Sequence, residues 1–120
     1  GTQAIVLYTY QSESYKFVFE FEKYTMIRTL GASALELSLV ATGAIDAFVD
    51  VRNSLRTYDF AVGARLVKLL GGNVTFFDKN KEISTNKVIL NDFTRGYGIL
   101  ASSDEKLYQR IIKELPFKSN

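Results

Sequence analysis

At 120 residues the chain is expected to fold as one domain, long enough to bury a core without covalent staples. It contains no Cys and no His, which excludes disulfides, thiolate zinc sites, imidazole-dependent nucleophile triads and the usual transition-metal ligand; any metal must be hard and oxygen-bound, with Mg²⁺ the leading candidate. The net charge of +2 is carried by dispersed Lys and Arg, and no apolar run approaches the ~20 residues of a membrane helix, so the expectation is a soluble, cytoplasmic chain with no nucleic-acid or membrane partner. Because the chain opens on Gly rather than Met, it is expected to begin at a junction or inside a longer protein.

In chain order, residues 4–10 (AIVLYTY) are β-branched and aromatic and predict a buried strand. Residues 11–23 carry both an alternating row (Tyr15, Phe17, Phe19, Phe21) and a helical one (Phe17, Val18, Phe21), and are read as a helix. Residues 25–30 predict a short strand ended by Gly31. Residues 32–41 predict a helix buried between layers, with Leu35, Leu39 and Val40 as its stripe and Gly43 as its stop. Residues 46–51 predict a strand and 52–57 a loop.

The clearest helix is expected after Asp59, with Val62, Leu66, Leu69 and Leu70 on its buried face and Gly71-Gly72 ending it. Residues 73–77 predict a strand, 78–81 a polar turn, 87–90 a short strand and 97–101 another. Ser102 and Glu105 have capping-box spacing for a last helix bearing Leu107, Tyr108, Ile111, Ile112 and Leu115, ended by Pro116. Strands alternate with helices throughout. This predicts an α/β fold, a layered α/β/α sandwich on a mixed, mostly parallel sheet.

Chemistry concentrates between residues 28 and 72. Asp59 sits at a helix entry, where Asp most often only caps; the functional reading is a carboxylate holding a divalent cation. Asp50 ends a strand and reads either as a solvated acid or as an acceptor for sugar hydroxyls. Arg28, Arg52 and Arg56 offer planar donor forks suited to phosphate, or simple surface solvation or pairing with Asp50 or Glu36. Gly31-Ala32-Ser33 opens a helix after a strand, where small residues let an anion reach the free N–H groups. Two strand–helix junctions are thus expected at one edge of the sheet, where ligands of open α/β sheets bind.

The succession Gly31-Ala32-Ser33-Ala34-Leu35-Glu36, Val40-Ala41-Thr42-Gly43, Asp46-Ala47-Phe48, Asp59-Phe60-Ala61-Val62-Gly63 and Leu70-Gly71-Gly72 resembles the C-terminal half of the inositol monophosphatase family, a sugar-phosphatase fold. The segment from Asp50 to Asp59 is similar to the archaeal branch, which acts on both inositol monophosphate and fructose 1,6-bisphosphate. The resemblance implies a Mg²⁺ ligand at Asp59, in the family's Trp-Asp-x-Ala-Ala-Gly motif. It implies substrate contacts at Arg28, Gly31, Ala32, Ser33, Asp50 and Arg52, a small sugar or inositol phosphate as substrate, and a homodimer. Tyr58 replaces the motif's Trp and Val62 one Ala, both packing positions.

The family's other metal ligands lie in an N-terminal domain, in a Glu-Glu segment and an Asp-Pro-(Ile/Leu)-Asp-Gly-Thr segment. Neither occurs in this sequence, and one aspartate cannot assemble two Mg²⁺ ions around a phosphate ester. The expectation is therefore a substrate- and metal-contributing domain whose catalytic N-terminal domain is missing, inactive alone. The alternatives are a non-catalytic binding or dimerisation module, or a fragment of a 3′-phosphoadenosine 5′-phosphate phosphatase.

Overall fold

The apolar run at the start of the chain forms β1 (Gln3–Tyr8), and alternate residues divide between two cores. Val6 points to one face of the sheet, Ile5 and Leu7 to the other. The computed structural model describes residues 3–8, 25–28, 33–89, 91–92 and 94–115. The helix expected over residues 11–23 lies outside them, as do Gly31, Ala32 and Pro116.

Six strands form one sheet in the order β2-β1-β3-β6-β4-β5: β2 (Thr25–Arg28), β3 (Ala47–Leu55), β4 (Asn73–Asp78), β5 (Lys81–Ile83) and β6 (Tyr97–Ser102) complete it. β1 pairs in parallel with β2 and β3, whereas β6 runs antiparallel to β3 and β4, and β5 antiparallel to β4. The sheet is mixed, as expected, but not mostly parallel: parallel pairing is confined to β2, β1 and β3, and the three pairings that involve β6, β4 and β5 are antiparallel. Helices α1 (Ser33–Ala41) and α2 (Thr57–Leu69) cover one face through Leu37, Val40, Phe60, Ala64 and Val67. Helix α3 (Glu105–Glu114) covers the other through Leu107 and Ile111, with Leu115 just beyond it. The result is the expected α/β/α sandwich.

Several local expectations change. Residues 52–55 are not loop: β3 runs on to Leu55, which is buried, through a register shift against β6. Asn53 takes a positive φ of 58° there, the behaviour of a bulge that twists a strand and re-aims its side chains. Gly96 makes the bulge possible, since a Cβ at that position would stand 2.4 Å from the Asn53 carbonyl oxygen. The polar residues Lys79 and Asn80 both adopt positive φ (51° and 66°) and join β4 to β5 as a two-residue hairpin, a strand missed because its three residues lack an apolar row. Of the short strand expected over residues 87–90, residues 87–89 are described and are not strand. A 3₁₀ turn spans Thr85–Lys87, and of residues 87–89 only Val88 is buried, held by its N–H to the Thr85 carbonyl.

Each helix differs from its expected frame. In α1, Leu35 is exposed, and the buried positions are Glu36, Leu37, Val40 and Ala41. Gly43 does end this helix, at φ 83°, where glycine carries no Cβ penalty. Helix α2 starts at Thr57, before Asp59, and its buried face is Phe60, Gly63, Ala64 and Val67. Val62 (76% exposed), Leu69 (66%) and Leu70 (64%) point outward instead. Gly63 decides this orientation: a Cβ there would lie 2.5 Å from Leu37 Cβ, so α1 and α2 cross where α2 has no side chain. Asp104, not Ser102, caps α3 by accepting from the Leu107 N–H at 3.0 Å. Ser102 closes β6, its hydroxyl donating to the Asp46 carbonyl at 2.7 Å.

Candidate functional site

The parallel strands β2 and β3 each lead into a helix, β2 into α1 and β3 into α2. Both helix N-termini therefore emerge at the carboxyl edge of the parallel strands, the edge where open α/β sheets bind ligands. Register carries the chemistry to the same edge. Tyr8 of β1 is level with Asp50 of β3, and Val6, two residues earlier, is level with Arg28 at the end of β2. Period-two alternation puts Asp50 on the same face as Phe48, toward α1 and α2.

Asp50 has no exposed surface, and both its oxygens accept from Arg52. Oδ1 takes the Arg52 backbone N–H at 3.0 Å and Nε at 3.1 Å; Oδ2 takes Nη2 at 2.6 Å. The fork geometry is the bidentate one that makes Arg–carboxylate pairs strong and directional. The Arg52 guanidinium also lies 4.4 Å above the Tyr8 ring. The Tyr8 hydroxyl in turn donates to Oε1 of the fully buried Glu36 at 2.6 Å. Of the readings open for Arg52, the pairing with Asp50 is thus present and leaves about 29% of the Arg52 side chain exposed, while Asp50 is buried and not the solvated acid of its simpler reading.

Asp59 stands at the third position of α2. Its Oδ2 accepts the Arg56 N–H at 2.9 Å, and its own N–H donates to the Arg56 carbonyl at 2.9 Å. The N-cap is Arg56 in extended conformation, and its side chain makes no capping bond. Asp59 therefore does satisfy an orphan donor of the helix, from inside the first turn and not from the cap position. Oδ1 of Asp59 has no hydrogen-bond partner among the described residues. The Arg56 guanidinium donates to the Thr94 carbonyl, tying the 94–96 segment to the start of α2.

Of the residues expected at the site, Asp50, Arg52 and Asp59 are brought to one edge by β3 and the start of α2. Arg28 ends β2 and Ser33 opens α1 at that edge too, while Gly31 and Ala32 lie outside the described residues. Among the described residues no three acids gather into a group that could hold a metal alone. Tyr8 is not among the residues expected from the sequence, and Glu36 is expected only as a possible partner of an arginine, whereas here it accepts from the Tyr8 hydroxyl. Their signals were a tyrosine at a strand's carboxyl end and a single acid in the apolar run Ala-Leu-Glu-Leu.

Residues 6–119 match the sequence profile of the inositol monophosphatase family. The chain belongs to that family. Among individual relatives it is 34% identical, over 94 residues, to a fructose-1,6-bisphosphatase/inositol-1-monophosphatase of Thermococcus kodakarensis, a match covering 78% of this chain and 35% of that protein. It is 37% identical over 89 residues to an enzyme of the same description from Methanothermobacter thermautotrophicus, covering 74% and 30%. A solved structure from Pyrococcus horikoshii, described as similar to inositol-1 monophosphatase, superposes with a TM-score of 0.70 at 34% identity, covering 95% of this chain and 42% of that one. The chain spans about a third of the length of the two enzymes and under half of the solved structure. The α/β fold of this inositol monophosphatase family member is thus the fold of its structural neighbours, and the named relatives are phosphatases. No helix among the described residues is long and apolar enough to cross a membrane.

Proposed function

We propose that this chain is the substrate-facing, metal-contributing part of a Mg²⁺-dependent phosphatase for inositol monophosphate, fructose 1,6-bisphosphate or both, and that it is inactive without the remainder of the enzyme. The observation that carries the reading is the meeting, at one sheet edge, of the Asp59-bearing helix N-terminus with the Asp50–Arg52 pair. In this reading Asp59 offers one hard oxygen to the metal from a position where the helix dipole favours negative charge. Mg²⁺, when bound, would supply Lewis-acid activation of water and neutralise charge on the phosphate oxygens. The chain's own residues orient the substrate: Arg52 and Arg28 attract its anionic groups, Asp50 sits behind Arg52, and the small residues Gly31, Ala32 and Ser33, by their place in the sequence, let a phosphate approach the α1 N–H groups.

The outward stripe of α2 supports an absent partner domain. Tyr58, Val62, Leu66 and Leu69 are all exposed, with Leu35 of α1 beside the same layer. An apolar face of this kind on the helix that carries the metal ligand is what a half-enzyme would leave uncovered. A non-catalytic dimerisation module is favoured by the same stripe.

A fusion separates the two readings. Placed behind the N-terminal half of the Thermococcus kodakarensis relative, this chain should complete a Mg²⁺-dependent phosphatase releasing phosphate from inositol 1-phosphate or fructose 1,6-bisphosphate. Asp59→Asn in the fusion should then lower turnover by at least ~10²-fold, the upper end of losses seen for residues that merely support metal ligands. A well-folded fusion without turnover would favour the module.

A further inference from the structure

The proposed site leaves open which residue of the Asp50–Arg52 pair meets the substrate, and the surroundings of the pair decide it. Asp50 is fully buried, and each of its oxygens already accepts from Arg52. A carboxylate placed so has no surface to offer a sugar hydroxyl. The guanidinium is edged by Asp50 on one side and floored by the Tyr8 ring at 4.4 Å. That floor is itself held in place. The Tyr8 hydroxyl is anchored on Glu36, in the first turn of α1, and the ring is tilted against the fully buried Phe48 at 5.8 Å between centroids.

We propose that Asp50 and Tyr8 are positioning residues that act through Arg52, which alone of the three contacts the substrate, and that this part of the site selects an anionic group, not a hydroxyl. The inference rests on the reading that Arg52 faces the substrate. Its physical basis is separate: an arginine on a long flexible stem loses rotamer freedom on binding unless already held. Here the plane of the fork is set by the aromatic plate and its roll by the carboxylate. The order of the sequence supports the division of labour. Tyr8 is level with Asp50 across the β1–β3 ladder, and Arg52 is the next residue on the same face of β3.

The test uses the whole chain, ¹⁵N-labelled, and follows the Arg52 Nε–H resonance together with titrations of inorganic phosphate and inositol 1-phosphate. Tyr8→Leu removes the plate but keeps an apolar side chain. It should accelerate Arg52 Nε–H exchange with water, and weaken phosphate binding, each by about fivefold, the range expected for a partly exposed cation–π contact. Tyr8→Phe keeps the plate and should stay within about twofold of the parent. Asp50→Asn should weaken phosphate and inositol 1-phosphate by the same factor, and the effects of Tyr8→Leu and Asp50→Asn should vanish in an Arg52→Gln background, as for residues acting through one group.

An Nε–H exchange rate unchanged by Tyr8→Leu would overturn the proposal, as would Tyr8→Phe disturbing it equally. A loss of affinity in Asp50→Asn confined to inositol 1-phosphate would also overturn it, by showing that Asp50 reads hydroxyls itself. Failure of the parent chain to bind either anion would count against the phosphatase reading, while the Nε–H comparison would still decide the positioning roles.

Discussion

Replacing Phe60 with alanine is expected to cost about 3–5 kcal/mol of folding stability, while Val62→Ala, two residues further along the same helix, should change it by no more than about 0.5 kcal/mol. Phe60 is almost completely buried and meets Phe76 at 5.2 Å and Tyr97 edge-on at 6.0 Å. Truncating it leaves a cavity walled by two other aromatic rings that strands β4 and β6 hold in place, so the gap cannot close easily. Val62 is exposed and faces away from every described layer. Urea denaturation of the two variants measures the difference directly. Comparable losses from both would mean that the apolar stripe of α2 is packed in the isolated chain, and would remove the argument for an uncovered domain face.

Arg52→Ala is expected to destabilise the chain by about 3 kcal/mol, and Asp50→Asn by only about 1 kcal/mol. The asymmetry follows from where each charge is left. Without Arg52, a carboxylate with no exposed surface keeps a single hydrogen bond, the one from the backbone N–H of residue 52. Without the Asp50 charge, the guanidinium still rests on Tyr8, and about 29% of its side chain already meets water. Equal losses for the two variants, each measured at constant m-value, would contradict the buried placement of Asp50.

The same residues show how far the sequence could be read. The layers were legible because strands with β-branched and aromatic runs alternate with helices. The family resemblance was legible because short motifs between residues 28 and 72 occur in order. The rotation of α2 was not legible. Val62, Leu66, Leu69 and Leu70 make a better apolar stripe by composition than Phe60, Gly63, Ala64 and Val67, but hydropathy records neither the close approach of α1 at Gly63 nor an apolar face left exposed. The pairing of Asp50 with Arg52 is one of several possibilities that the sequence leaves open. The Tyr8 plate beneath it is not among them, because it depends on strand register across 42 residues of sequence, information that spacing along a single chain lacks.

Helix ends misled the reading in a systematic way. Asp59 and Ser102 are residue types that favour caps, and both were placed at a cap by type alone. The actual caps are Arg56, whose N–H is bound by Asp59 from within the helix, and Asp104. For Asp59 the shift bears on the proposed metal role. A carboxylate inside the first turn commits one oxygen to the Arg56 N–H, and its other oxygen has no hydrogen-bond partner among the described residues.

Titration of Mg²⁺ into the ¹⁵N-labelled chain, read residue by residue, decides whether Asp59 is a metal ligand. A half-site with one carboxylate ligand should bind weakly, at or beyond the 10⁻⁴–10⁻³ M range of the weakest dedicated divalent-cation modules. Shifts should be confined to the first turn of α2 and be abolished by Asp59→Asn. Tight, micromolar binding, or shifts that persist in Asp59→Asn, would contradict the assignment of Asp59 as the chain's single contribution to a divided metal site.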